Sequence, residues 1–170
     1  MNAPSHKPGL IPPGFHASWA EVDMTGWRWP NFSPKELACK CAGRYCRGEY
    51  FHDEAFLDNL EQLRTEAGRP IALTSARRCT GHNRAVGGAA RSQHMLRIAG
   101  DIDLDGHEAV ILARAAVKAG FTGIGFGNGF LHVDQREGRV AWNYSANAIA
   151  FWRRAFGFDP VAKLKAGWTL

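Results

Sequence analysis

The stretch Ser92–Asp103, SQHMLRIAGDID, places a histidine seven residues before one aspartate and nine before a second. It reads either as a helix end running into a solvated acidic strand, or as part of a metal site. On a strand, residues two apart share a face, so Asp101 and Asp103 point the same way. Further on, FLHVDQ (130–135) repeats the pattern, with Phe130, His132 and Asp134 on one face. Four polar groups on two strand faces are costly to bury unless the faces converge on something that needs them. A divalent cation is the simplest such group. His94, Asp101 and His132 would supply two imidazoles and one carboxylate and leave a fourth position open, as in a catalytic rather than a closed structural zinc site. Taken alone, the spacing also suits a hydrogen-bonded histidine beside a solvated strand edge.

The surrounding chain suits one domain. Its 170 residues are enough to bury a sizeable core, and hydrophobic and charged contents of 45% and 22% are ordinary for a globular protein. No apolar run approaches the roughly 18 residues of a membrane span. The opening MNAPSHKPGLIPPGFH is broken by four prolines and has no signal-peptide apolar core. Residues 1–31 are therefore expected to form an extended arm, with no membrane insertion. The formal charge of +5 favours anionic partners, but the cations are scattered among acids. A solvated basic surface, and no nucleic-acid partner, is expected.

Element signals are clear on both sides of the opening stretch. NFSPKELAC starts a helix, with Ser33 as N-cap, Pro34 at the first position and Glu36 beyond it. In HDEAFLDNLEQLRTEAG, Phe56, Leu57, Leu60, Leu63 and Ala67 form one apolar stripe, stopped by Gly68. PIALTS reads as a strand, ARRCTGHNRAVGGAARS as a long and therefore functional loop, and DIDL as a strand. Asp105 is placed as the cap of a helix through HEAVILARAAVKAG to Gly120. FTGIGFG and FLHVDQ pair across a turn at Asn128-Gly129, GRVAWNY adds a strand, and Ser145 caps a last helix. The expected fold class is α+β, a mostly antiparallel sheet with flanking helices.

Cys39, Cys41 and Cys46 crowd into CKCAGRYC, and Cys79 follows in the long loop. The spacing is not the C-x-x-C of zinc ribbons. A structural metal site, one or two disulfides, and free thiols all remain open.

SQHMLRIAGD resembles the S-x-H-x-x-G-x-A-x-D motif of the zinc D-Ala-D-Ala carboxypeptidase family, which includes the L-alanyl-D-glutamate endopeptidases of phage endolysins and shares its fold with the hedgehog domain. Ser92, His94, Ala99 and Asp101 match it. Upstream, Ser75, Arg78, Asn83, Gly87 and Gly88 are similar to the family's S-G-Y-R-x-x-x-x-N-x-x-x-G-G stretch, and FLHVDQR resembles its closing H-x-D. The likeness runs from about Phe32 to Tyr144, making 32–144 the peptidase domain and 145–170 a helix and tail packed on it. Two departures stand out: Arg97 replaces the motif glycine, and Ala76-Arg77 replaces Gly-Tyr before the arginine.

The resemblance implies a hedgehog-like fold and one catalytic zinc on His94, Asp101 and His132, lowering the pKa of coordinated water to about 7. Peptidoglycan stem peptides would be the substrate. Some family members carry an acid three residues before the last histidine; that position is Gly129 here. Asp134 is accordingly expected as the proton shuttle, with Asp103 in reserve. Arg78 is expected to pair with a substrate carbonyl or carboxylate and to stabilise oxyanion charge, and Ser92 to bond the same ligand. His82 is expected in a loop hydrogen bond or against substrate, His52 and His107 at helix starts. Trp27, Trp29 and Trp142 pack or stack on sugar rings. The implied protein is a monomeric zinc endopeptidase of the endolysin type, made in a host cytoplasm and acting on the wall after release. The alternatives are a D-Ala-D-Ala carboxypeptidase and a non-catalytic zinc module that binds cell wall or serves in a virion.

Overall fold

The computed structural model describes residues 13–170. In chain order the elements are β1 (Gly14–His16), two single 3₁₀ turns (Trp19–Glu21 and Met24–Gly26), α1 (Pro34–Leu37), β2 (Tyr50–His52), α2 (Glu54–Ala67), β3 (Leu73–Ser75), α3 (Thr80–Ala85), α4 (Gln93–Leu96), β4 (Ala99–Asp103), α5 (Ala109–Lys118), β5 (Gly123–Phe126), β6 (Phe130–Asp134), β7 (Val140–Asn143), α6 (Ala146–Phe156) and α7 (Pro160–Gly167). A five-stranded sheet runs in the order β3-β4-β6-β5-β7. Every neighbouring pair is antiparallel except β5 with β7, which is parallel. The α+β class with a mostly antiparallel sheet therefore holds.

Strand alternation gives the sheet two unlike faces. Ile102, Ile124, Phe126, Leu131 and Val133 belong to one buried core with the apolar stripes of α2 and α5. The intervening positions of the same strands carry Asp101, His132 and Asp134. In α2, Asp53 caps the first turn by accepting from Phe56 N–H, and Gly68 ends the helix in the left-handed region at φ 68°. Ser33 and Ser145 cap their helices as expected, accepting from Glu36 and Ala148 N–H. Trp152 of α6 is fully buried, edge-on to Phe126, and its indole N–H donates to Gly127 O at 2.9 Å.

Three expectations change. Residues 14–31 are not an extended arm: β1 pairs with β2, and Val22 and Trp29 enter the core. Trp27 reinforces the join, its indole N–H donating to Trp29 O and Phe32 O at 2.8 and 2.9 Å. Tryptophans bring enough apolar area to fold a stretch that lacks helical or strand periodicity. The first twelve residues of the expected arm, including His6, lie outside the described residues. Second, Asp105 does not cap α5, whose N-cap is Glu108. Asp103 instead accepts from Asp105 N–H at 2.9 Å, and Gly106 at φ 73° turns the chain first. Third, the long loop contains α3, capped by the Cys79 sulfur. The tail forms α7, whose Val161 and Leu164 join the core.

Trp152→Ala removes the largest fully buried side chain and orphans the Gly127 carbonyl. We expect a loss of about 3–5 kcal/mol, read in urea as a lower midpoint with an unchanged slope.

Candidate metal centre

One row of residues crosses the whole sheet. Ser75 pairs with Asp101, Asp101 with His132, His132 with Gly125, and Gly125 with Trp142. Cross-strand partners stand about 5 Å apart on one face, so register alone brings Asp101 beside His132. His94 arrives from α4, the single helical turn before β4.

Three atoms converge there: His94 Nε2, Asp101 Oδ1 and His132 Nδ1. Their separations are 3.2 Å (His94–Asp101), 2.9 Å (Asp101–His132) and 3.1 Å (His94–His132). The other nitrogen of each ring is committed elsewhere. His94 Nδ1–H donates to Ala76 O at 2.5 Å, and His132 Nε2–H donates to Asp134 Oδ2 at 2.8 Å. The atoms that face one another are therefore lone-pair donors, in a pocket where all three residues are buried. Burial pushes the His94 pKa down, keeping its ring neutral. For His132 burial acts the same way, but the adjacent carboxylates of Asp101 and Asp134 outweigh it and raise the pKa. For Asp101, burial is overcome by the two adjacent histidines, which hold its carboxyl well below the usual range. The triangle thus calls for positive charge at its centre. Tetrahedral zinc with bonds of about 2.0–2.1 Å has ligand–ligand edges of about 3.3 Å, close to the separations seen. The donor set fits zinc.

Asp134 has a different place from the one expected. It is fully buried behind His132, held by Arg136 through Nε at 2.8 Å and by its backbone N–H at 3.1 Å. Burial would raise its pKa, but the Arg136 and His132 hydrogen bonds prevail and lower it to about 2. A carboxylate so tied, on the far side of the ligand ring, orients His132 and sets its tautomer; it does not reach the open side of the metal position. The proton-shuttle expectation for Asp134 is corrected accordingly. Asp103, the reserve, is occupied in the turn before α5 and does not line the cleft.

The cleft above the triangle has a volume of about 600 Å³ and is walled by Arg78, Arg91, Ser92, Arg136, Trp142 and Tyr144, among others. Among its lining residues the only carboxylate is Asp101. Arg78 donates from Nε to Ser75 Oγ at 2.7 Å and from a terminal nitrogen to Asp101 Oδ2 at 2.5 Å. It thereby fixes the third ligand while lining the cleft. Ser92 is the N-cap of α4, yet its hydroxyl makes no cap bond, which leaves it available to a ligand. The two departures from the family motif are structurally accommodated. Arg77 donates to Met95 O and, at 3.1 Å, to Arg97 O, closing the carbonyl end of α4 that carries His94. Arg97 has φ −138°, outside the region that demands glycine, and pairs with Asp53 at 2.9 Å.

Sequence reading missed Arg91, Arg136 and Tyr144. It also missed the role of Gly123, Gly125 and Gly127, whose signal is the alternation G-I-G-F-G. A Cβ at Gly123 would lie 2.1 Å from Asp134 Oδ1, at Gly125 2.7 Å from Trp142, and at Gly127 2.4 Å from Phe130. Strand β5 is bare on this face so that the side chains of the site can lie across it. Of the remaining residues, Trp142 lines the cleft with its ring 5.1 Å from that of His132. Trp27 and Trp29 pack instead around His52, which bonds the Tyr50 hydroxyl at 2.9 Å. His107 lies in the turn before α5, and His82 sits beside Cys39 at 3.3 Å.

Gly123→Ala should push Asp134 off His132. The expected result, by analogy with other losses of a ligand-orienting carboxylate, is about a 10–100-fold fall in metal affinity, measured by chelator competition, with the circular dichroism of the fold retained. Asp134→Asn should weaken binding in the same direction. Unchanged affinity in both would remove Asp134 from the site.

No curated protein matches this sequence. A family model, Peptidase M15, matches residues 30–134, a span from just before α1 to the last residue of β6. That span contains all three convergent donors together with Arg78 and Ser92. It stops before Arg136, Trp142 and Tyr144, which come from β7 and the residues on either side of it. The matched region takes in more than half of the chain and all of its candidate metal ligands, and the chain belongs to the Peptidase M15 family of zinc-dependent hydrolases.

Proposed function

We propose that the protein is a zinc peptidase that cuts the L-Ala-D-Glu amide bond of peptidoglycan stem peptides, in the manner of an endolysin. The observation that carries this is the placement of three convergent donors on the floor of a cleft whose charged walls are arginines. Bound zinc supplies Lewis acidity and a nucleophile at neutral pH. The chain supplies the rest. Asp134 and Arg136 hold the His132 ring, Ala76 O holds the His94 ring, and Arg78 holds Asp101. Arg78 faces the substrate carbonyl and offsets the negative charge that develops on its oxygen. Although Tyr144 is partly exposed, desolvation of its phenol by the cleft wall and the nearby Asp101 charge raise its pKa, so the phenol stays protonated and serves as a donor to that oxygen or to the leaving amine. Ser92 bonds the substrate backbone.

Cleft charge suits a peptide that carries a carboxylate beside the scissile amide, and the endopeptidase is the reading we favour. In an L-Ala-D-Glu linkage the glutamyl residue carries a free carboxylate beside the scissile amide, and Arg78, Arg91 and Arg136 together suit such a substrate. A terminal D-Ala-D-Ala offers one carboxylate in the corresponding place, so the arginines suit the residue after the scissile amide in both substrates. Among the described residues no helix is long and apolar enough to cross a membrane. We place the enzyme as a monomer made in a host cytoplasm and acting on the wall after release.

Mass spectrometry of purified peptidoglycan after digestion identifies the bond. New amino-terminal D-Glu on the stem peptides is expected; loss of a terminal D-Ala alone would assign the carboxypeptidase, and intact peptides would leave a wall-binding or virion module. His94→Ala should lose the active-site zinc and turnover together. Tyr144→Phe should keep the metal and lower kcat by about tenfold or more; near-normal kcat would exclude the phenol as donor.

A further inference from the structure

Apart from the three convergent donors, four sulfurs also meet. Cys39 and Cys79 are buried, Cys41 and Cys46 half-buried, and all four Sγ atoms lie within 4.8 Å of one another. We propose that this cluster is a second, closed zinc site of four thiolates, which staples the Cys39–Cys46 loop to the start of α3.

The geometry separates this reading from a disulfide. Cys41 Sγ and Cys46 Sγ are 3.5 Å apart, against about 2.05 Å for an S–S bond. Tetrahedral zinc with Zn–S bonds of about 2.3 Å has sulfur–sulfur edges of about 3.8 Å, and four sulfurs that all lie within 4.8 Å of one another bracket that figure, where two separate disulfides need not bring all four together. The loop is shaped to bring them together: Ala42 and Gly43 take positive φ of 53° and 83°, folding the chain back between Cys41 and Cys46.

A tetrathiolate zinc carries a net negative charge, and buried charge needs donors. They are present. Cys79 N–H points at Cys39 Sγ (3.3 Å), Glu49 N–H at Cys46 Sγ (3.4 Å) and His82 N–H at Cys79 Sγ (3.4 Å). His82 Nδ1 also lies 3.3 Å from Cys39 Sγ, so the histidine of the long loop serves the sulfur cluster. The loop itself carries Lys40, Arg44 and Arg47. Metal uptake exchanges thiol protons for Zn²⁺ and needs no oxidant.

Position gives the site its use. Cys79 follows Arg78, the residue that holds Asp101, and heads α3, which leads into the Gly87-Gly88 wall of the cleft. Tyr45, inside the cysteine loop, lies so close to Gly81 of α3 that a Cβ there would be 2.7 Å from the ring. The zinc knot is therefore a positioning device for Arg78.

Elemental analysis of the full chain, with thiol titration in denaturant plus chelator, tests this independently of the peptidase reading. Two zincs in the wild type, one in His94→Ala, and four titratable thiols are expected. Cobalt loaded into His94→Ala should show a thiolate-to-metal charge-transfer band. One zinc in the wild type and none in His94→Ala, with four thiols, would overturn the proposal, as would fewer than four thiols with a mass lower by two hydrogens per missing pair. One zinc in both proteins would retain the sulfur site and instead reject the catalytic one.

Discussion

Everything at the centre of this molecule depends on three lone-pair donors held about 3 Å apart in a buried place. Such a grouping repels itself unless positive charge lies between, and the fold is arranged to hold it together nonetheless. Asp101 and His132 are brought side by side by antiparallel register, the cheapest way to juxtapose two side chains that are far apart in sequence. Each is then locked from behind, Asp101 by Arg78 and His132 by the Asp134–Arg136 pair. His94 is locked by a backbone carbonyl on the segment leading to Arg78. Second partners of this kind decide which ring nitrogen is bare, and so whether a metal can bind at all.

The same segment, Ser75–Cys79, joins several roles in five residues. Ser75 braces Arg78, Ala76 O orients His94, Arg77 closes the carbonyl end of α4, Arg78 holds Asp101 and Cys79 enters the sulfur cluster. Arg77, standing where the resembling motif has tyrosine, supplies a guanidinium that gathers the free carbonyls of a four-residue helix. Short helices have little stability of their own, so α4 needs such outside support to present His94 accurately. Arg97 serves the neighbouring helix in turn, through Asp53.

Much of the fold was legible. Caps at Ser33 and Ser145, the apolar stripe of α2 and the hairpin at Asn128-Gly129 all follow from local preferences that tertiary structure did not oppose. The misreadings share a cause. Alternation assigned Asp134 to the face of His132, correctly, but the face has depth, and only Arg136 and the bare glycine at 123 show that Asp134 lies behind the ring. Asp105 reads as a good cap on paper; the chain turned earlier because Asp103 caught the Asp105 N–H, and Glu108 became the N-cap. In α3 a cysteine stands at the cap position, which no ordinary capping rule would select.

By itself the sequence determined the ligand types, their order and the strand periodicity that puts Asp101 and His132 on usable faces, because these are properties of residues and of a two-residue repeat. Tertiary structure alone decided what each polar group does. Whether a carboxylate is a base or a brace, and whether four thiols scatter or meet, depends on distances between residues from different elements. Those distances are set by sheet register, by the packing of α1 against β3 and by that of α3 against α4, which no local pattern encodes.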